Sequence, residues 1–582
     1  MKRTPLSEFA GRTFDVMVVG AGVSGASAAQ HLAAAGFAVF LADAEDYGSG
    51  ASSRSSRLMH FGLRYLDRGE PVINYLKNPL WFIKQCRRAR NTMRHRAEVV
   101  RTTPERLKPF TMYIPVFKDD HFRPWQMSAA LRLINALGGS ELPVDWSRVA
   151  AGDWSSTPLL GQLRDQDRLK GAFSLVEYQY DWPERMVIDC VNDARRMGAV
   201  CRNHTRVTGL ANQGPEKWSI LLCDALNPSD QVEINARQVL NMAGAWIDRV
   251  LQTANRPVSR QIAGMKGAHI VFRLPERFRG HGVAHFARNG YPIYCLPWRD
   301  LHFVGPTETE FSGDPAHVRV TREDAAYLLS EANHFLPGLD IKAEDILFCW
   351  AGVRPNHYDP GYKYSGKKNF LPEYRDHGAE GLPNLMSVPG VPLMLHRFVG
   401  RRIAREVAGR ITPSGPAQTV SYGTRRFEQD TNSPPVNASY PEIRLSHLED
   451  MAREEQPACL ADLLFRRAGL GWTGDMSRAS ARRAAEAVAA IAGWDEAAIE
   501  AQLQAFDRHV LEHFLAPAQE EPTSEDRPAT SRANGTVVDA GATAPARPVG
   551  DDREGQEMGR RAQVRDERGR GGRTRPSDHG DA

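Results

Sequence analysis

The chain has 582 residues, with Lys+Arg 74 against Asp+Glu 70, a net charge of +4, and a composition 42% hydrophobic and 25% charged. That length allows a few domains with ample core, and that charge balance gives no electrostatic case for a nucleic-acid partner. No run of about 18 apolar residues occurs, which argues against a membrane-spanning helix. Residues 1–13 are a polar lead-in without the apolar stretch of a signal peptide, and the seven cysteines form no C-x-x-C pair. Neither a zinc site, nor any other metal site, nor a disulfide framework is expected, and a reduced, cytoplasmic compartment fits.

Residues 14–19 (FDVMVV) form a short apolar run rich in β-branched residues, which predicts a buried parallel strand. Gly20, Gly22 and Gly25 follow at G-x-G-x-x-G spacing; an Ala-rich segment then predicts a helix from Ser24 to Ala35 that stops at Gly36. Residues 37–42 predict a second strand, with Asp43 at its end, 18 residues after Gly25. The first glycine permits the tight turn, the second lets the backbone approach a pyrophosphate, and the third lets the helix pack on the strand. Free N–H groups at the helix start favour an anion, and Asp43 is placed to accept hydrogen bonds from a ribose.

The loop 48–57 is rich in serine and arginine. The hydroxyls of Ser52, Ser53, Ser55 and Ser56 are placed either to hold phosphates or a ring edge, or simply to face solvent. Residues 70–140 mix cations with Trp81, Phe82, Phe110, Phe117, Phe122 and Trp125. Such a segment can lie on an anionic membrane surface, or form a helix pair with a solvated basic face. A strand is predicted over 171–182, a helix over 183–197, a strand over 198–210, and another over 232–242 that ends in Ala243-Gly244, where small residues allow close backbone approach. Alternating apolar residues at 266–270 and 291–308 predict antiparallel strands. Residues 398–411 predict a helix, 420–444 a polar linker, and 445–515 a helical domain with Ile499, Leu503, Phe506 and Val510 on its core face and Asp495 as an N-cap. Residues 516–582 are poor in apolar residues and are expected to be disordered, their arginines interspersed with acids as a solvated tail.

The stretch Ser55 to Leu66 (SSRLMHFGLRYL) resembles the SSKLIHGGLRYL signature of flavin-dependent glycerol-3-phosphate dehydrogenases, with Phe61 where that family has glycine. Further similarities follow. AGAW at Ala243 resembles NATGPW, KGAHI at Lys266 resembles KGSHIV, and GVRP at Gly352 resembles SGVRPL. Arg185 matches an arginine on a helix after a tyrosine–aspartate strand. The resemblance spans residues 14–514 unevenly. It implies an α/β chain of the D-amino-acid-oxidase-like class: a Rossmann-type FAD-binding domain with an inserted antiparallel-sheet substrate domain over 14–419, plus a small C-terminal all-α domain. The main departure is LMSVPGVPLMLHR at 385–397. Gly390 is kept, but Pro392 stands at the lysine position of the family's SVFGGKLTTYR, and Met394 and Leu395 at its threonines. Proline offers neither charge nor N–H.

The resemblance implies FAD bound by Gly20, Gly22, Val23, Ser24, Gly25, Asp43, Ser52, Ser53, Ser55, Ser56, Ala243, Gly244 and Gly390. It implies a site of His60, Arg64, Tyr65 and Arg354, arginines clamping an anion and His60 serving as base or substrate ligand. The implied reaction oxidises sn-glycerol 3-phosphate to dihydroxyacetone phosphate and passes electrons to a quinone-type acceptor at the cytoplasmic face of a membrane. The alternatives are a related enzyme for another anionic alcohol or amine, and a flavin-binding protein without this activity.

Overall fold

The structure, a computed structural model, describes residues 3–63, 79–120, 122–138, 141–254, 256–360, 374–425, 427 and 432–517. Those residues fall in one unit, Met1–Glu521; the second, Pro522–Ala582, lies outside them, as does the predicted tail from 518 on, whereas Ala516, expected to begin that tail, is buried in the core.

The strand Thr13–Val19 is buried at every residue after Thr13, and a strand with no solvent face belongs inside a parallel sheet. It pairs in parallel with Val39–Ala42 and Gln231–Asn241, Val16 lying opposite both Val39 and Gln238. The sheet order is Arg375–Asp376, Leu385–Ser387, Gln231–Asn241, Thr13–Val19, Val39–Ala42, Val200–Arg202. Lys217–Asp224 and Thr205–Gly214 branch from Gln231–Asn241 as an antiparallel extension. The helices Val23–Ala34, Pro183–Arg196 and His396–Ala408 cover one face, where Val16, Val18 and Leu41 meet Leu32, Val191 and Ile403. Met17 and Phe40 pack with Leu6, Phe9 and Trp218 on the other. The strand predicted over 198–210 is two strands. Asn203 and His204 interrupt it, His204 has φ +44°, and the chain leaves the parallel sheet to begin the antiparallel pair.

The second sheet has nine strands, in the order Thr309–Glu310, Ile262–Phe272, Leu301–Gly305, Pro292–Trp298, His281–Phe286, Leu107–Phe117, Leu169–Tyr180, Trp146–Val149, with Ile346–His357 also on Ile262–Phe272. Alternation along each strand divides its side chains between two cores. Met112, Ile114, Leu175, Leu296, Phe303 and Trp350 share one core with the helices Pro79–Thr102 and Pro124–Gly138 and with the C-terminal helices. Tyr113, Val283, Cys295, Val304 and Ala351 face the helix Arg322–Phe335 on the other side. The segment read as a linker over 420–444 includes a short hairpin, Pro435–Asn437 with Tyr440–Arg444, whose Val436 and Ile443 are buried. Asp495 caps Glu496–Phe514 as expected, accepting from the Ala498 amide at 2.8 Å. All seven cysteines are free.

Buried ion pairs tie the C-terminal helices to the parallel sheet. Asp46 accepts from Arg466 and Arg467, and His204 Nε2 lies 2.8 Å from Asp462. Both nitrogens at the end of Arg185 reach Glu455 at 2.7 Å. Burial alone would raise the Glu455 carboxyl, but the Arg185 guanidinium outweighs it and holds it down to about 2. A carboxyl depressed in the folded state stabilises above its unfolded value and loses that contribution as pH falls through its folded value. From an ordinary 4.5 to about 2 this amounts to about 3 kcal/mol. Glu455→Gln is therefore expected to be less stable than the natural chain at pH 6, with the gap closing as pH falls from 4.5 toward 2. Denaturant unfolding at both pH values measures it; a gap independent of pH would rule out this role for Glu455.

Candidate active site

The turn after Thr13–Val19 is built by close backbone contact. Gly20 has φ +98°, and a Cβ there would lie 2.7 Å from Ala243 Cα. A Cβ on Gly25 would lie 1.9 Å from the Gly20 carbonyl oxygen, so this glycine lets the helix start against the turn. The helix Val23–Ala34 begins with Gly22 as its N-cap and has no side-chain cap in the usual sense; instead the Val23 amide donates to Ser52 Oγ at 3.0 Å. Its first turn keeps N–H groups for an anion. Asp43 accepts from the Ala21 amide at 2.6 Å and from the Glu45 amide at 3.0 Å. Burial nevertheless pushes its carboxyl up to about 7. Further donors, such as ribose hydroxyls, would bring it back down.

This turn opens into a cavity of about 1570 Å³ that runs from Asp43 to the second sheet. Gly20, Gly22, Val23, Ser24, Asp43, Ser52, Ser55, Ser56, Ala243, Gly244, Gly390, His60 and Arg354 all line it. Two of the expected cofactor contacts do not. Gly25 serves packing, and the Ser53 hydroxyl turns inward to donate to the Ser49 and Gly50 carbonyls at 3.1 and 3.0 Å. Arg64 and Tyr65 lie outside the described residues. Arg185 is a structural cation paired with Glu455.

At the far end, strand alternation brings side chains from distant segments onto one face. Gly267 lies opposite Gly352, Met265 opposite Arg354, and His269 opposite Trp350. The two glycines thin the sheet there: a Cβ on Gly267 would touch Arg354 Nη2 at 2.9 Å, and one on Gly352 would meet Arg54 Cβ at 2.8 Å. Arg354 Nη1 donates to Glu308 Oε1 at 2.7 Å. His269 is buried, lies 2.9 Å from Ser56 Oγ through Nε2, and stacks on Trp350 at 4.9 Å. Burial, then the charges of Arg354 and Arg57, lower its titration well below the ordinary range, so the ring is neutral near pH 7. His60 has φ +54°, an unusual backbone for histidine, and its ring lies 6.4 Å from that of Tyr294. Glu177, on the same face as Met112, pairs with Arg96 at 3.4 Å and accepts from the amides of Tyr178 and Phe61, so it holds the residue next to His60.

Val388, Gly390, Val391, Pro392, Leu393 and Met394 form another wall. Met394 and Leu395 also pack with Met59, Leu107, Tyr180 and Met186, so the positions where the resemblance places lysine and threonines carry apolar packing. His269, Glu177 and Arg54 were missed in the sequence. For His269 the signal was available: alternation along 266–270 puts it with Gly267 and sends Lys266 to the opposite face, where it pairs with Asp324.

The donor set fits a flavin dinucleotide: a helix start for pyrophosphate, a carboxyl short of donors for ribose, and a roomy, mostly apolar chamber beyond. Comparison with known proteins agrees. The glycerol-3-phosphate dehydrogenase of Synechocystis sp. is 27% identical over 423 residues, covering 70% of this chain and 72% of that one. The aerobic glycerol-3-phosphate dehydrogenase of Staphylococcus haemolyticus is 28% identical, covering 68% and 67%. Among solved structures, the glycerol-3-phosphate dehydrogenase of Bacillus halodurans complexed with FAD superposes with a TM-score of 0.64 at 20% identity, covering 89% of this chain and 98% of that one, and so shares its fold. The profile described as FAD dependent oxidoreductase matches residues 15–405, and the chain belongs to that family of FAD-dependent enzymes.

Proposed function

We propose that this enzyme oxidises the secondary alcohol of sn-glycerol 3-phosphate to dihydroxyacetone phosphate. The observation that carries the reading is the single cavity joining the Asp43 cradle to the face bearing His60, His269 and Arg354; the names of the relatives in Synechocystis and Staphylococcus support the substrate. FAD, when bound, supplies the hydride acceptor. Gly20, Gly22, Val23, Ser24 and Ser52 would hold its pyrophosphate, Asp43 its ribose, and Ala243, Gly244 and Gly390 would give it close backbone walls.

The protein's own residues have three tasks. Arg354, a forked donor at the cavity surface, turns from Glu308 to the substrate phosphate; Arg64 and Tyr65 join it through the signature they belong to. His60 takes the proton of the substrate hydroxyl or holds that hydroxyl in line. Its backbone strain is maintained by Glu177 on the Phe61 amide and by the neighbouring anchor at Arg57. His269, neutral and fixed by Ser56 and Trp350, adds no charge to the cavity wall.

Anaerobic addition of glycerol 3-phosphate to the FAD-loaded protein is expected to bleach the flavin. Arg354→Ala is expected to lower kcat/KM by about 2 kcal/mol, roughly thirtyfold, as a lost charge-assisted contact to the anion. Flavin that stays oxidised would refute the reaction, and unchanged kinetics would remove Arg354 from the site.

We further infer that electrons leave to a quinone at the cytoplasmic face of a membrane. Among the described residues no helix is long and apolar enough to cross one, so the contact is peripheral. The helix Pro79–Thr102 exposes Leu80 and Ile83 beside Lys84, Arg87 and Arg90, and Trp125 is 64% exposed at the start of the following helix. Basic residues next to exposed apolar ones suit an anionic surface. The protein is expected to co-sediment with anionic vesicles and not with neutral ones, and the double substitution Leu80→Asp, Ile83→Asp is expected to abolish this. Binding that is indifferent to both changes would place the contact elsewhere.

A further inference from the structure

Resting on that reading, we propose that the preferred substrate is a glycerol 3-phosphate whose first carbon bears an apolar chain, as an ether or an ester, rather than glycerol 3-phosphate itself. Beyond His60 the cavity lining is apolar. Met112 and Ile114 on Leu107–Phe117, and Phe286 on His281–Phe286, project from the same sheet face as Tyr294, whose ring centre lies 6.4 Å from that of His60. Leu63, Phe122 and Met127 close the chamber from the flanks, with Phe122 edge-on to Phe286 at 6.5 Å. These side chains belong to or pack on one apolar cluster that reaches the cavity surface.

The acidic groups at the edge of this chamber are already engaged. Glu177 is held by Arg96, Asp119 by Arg168, and Asp120 by the Phe117 amide. Across the cavity, Val391, Pro392, Leu393 and Met394 present more apolar surface. A three-carbon phosphate covers its polar end with Arg354 and has nothing to place against this surface. A chain on the first carbon does, and each methylene removed from water favours binding roughly fourfold.

The reaction is unchanged in its balance. The hydrogen on the second carbon leaves with its electron pair to the family's FAD, the hydroxyl proton goes to the protein, and the second carbon becomes a carbonyl. The phosphate and the ether or ester bond stay intact.

The test compares anaerobic flavin reduction of the FAD-loaded enzyme by glycerol 3-phosphate and by 1-O-hexyl-sn-glycerol 3-phosphate. The hexyl compound is expected to show at least 100-fold higher kcat/KM. Hexyl phosphate, which has no alcohol to oxidise, is expected to compete with it more tightly than inorganic phosphate does. Phe122→Asn, and independently Met127→Thr, are expected to shrink the hexyl-to-unsubstituted ratio at least tenfold. An equal or lower rate with the hexyl compound, or a ratio indifferent to both variants, overturns this inference and leaves the proposed reaction standing. Reduction by neither compound overturns the proposed reaction, and this inference with it.

Discussion

The structure depends on one buried cation. Arg57 has no exposed surface, yet its guanidinium lies 3.9 Å from the centre of the Trp298 ring, 4.7 Å from Trp472 and 5.5 Å from Trp350. It donates to the carbonyls of Asp181 and Ser53 at 3.3 and 3.2 Å. Burial lowers its titration to about 10, the Glu184 carboxylate opposing that, and it stays charged. A charge taken out of water needs such partners, and aromatic faces supply attraction that water cannot screen. The partners come from four parts of the chain: Ser53 from the loop at 48–57, Trp298 and Trp350 from the second sheet, Asp181 from the strand end before Pro183–Arg196, and Trp472 from the C-terminal region. Removing any one weakens the compensation of a buried charge that Glu184 also faces, at 3.9 Å, so these parts are tied to one another.

That tie explains how strained backbone survives beside the cavity. Arg57 and His60 both have positive φ, a conformation that costs non-glycine residues of order 1 kcal/mol or more and persists only where the surroundings fix it. Arg57 is fixed by the tryptophans. His60 is fixed between Leu58 and Phe61, both in the core, with Glu177 on the Phe61 amide. The backbone at His60 is therefore held at the cavity wall by its neighbours' packing and by the Glu177 contact.

How much of this the sequence disclosed follows from how local each feature is. The strand, the glycine turn, the helix and Asp43 are contiguous, and each residue type has a steric or electrostatic reason to stand where it does, so the cradle was legible to within a residue or two. Asp495 was legible for the same reason. Ser53 was not distinguishable from Ser52 by type; only the turn decides that one hydroxyl meets the Val23 amide and the other its own loop. The break at Asn203–His204 was hidden because both halves are β-forming and only tertiary pairing separates them. That Arg185 is a structural cation was hidden because its partner Glu455 lies 270 residues away. Arg354 was named from the GVRP resemblance and His269 could have been found from alternation, but that Gly267 lies opposite Gly352 and Met265 opposite Arg354 required strand register, which periodicity inside each strand cannot assign between strands.

The apolar wall at 388–394 changes the electrostatics of the site more than its shape. A lysine there would add a second positive charge in a confined, poorly screened cavity, where opposite charges attract several-fold more strongly than in water. Pro392 removes that option, and Glu308 offsets Arg354 while no anion is present. On the proposed function, a substrate phosphate reaching Nη1 of Arg354 would compete with the Glu308 carboxylate, so the anion would contribute less net attraction than its charge suggests. Specificity in such a site has to come from contacts that do not carry charge. On the proposed function, the surface available for them is the apolar one shared by Met112, Ile114 and Phe286 on the sheet and Val391, Leu393 and Met394 opposite, and a ligand that reaches both would gain in proportion to the apolar area it buries.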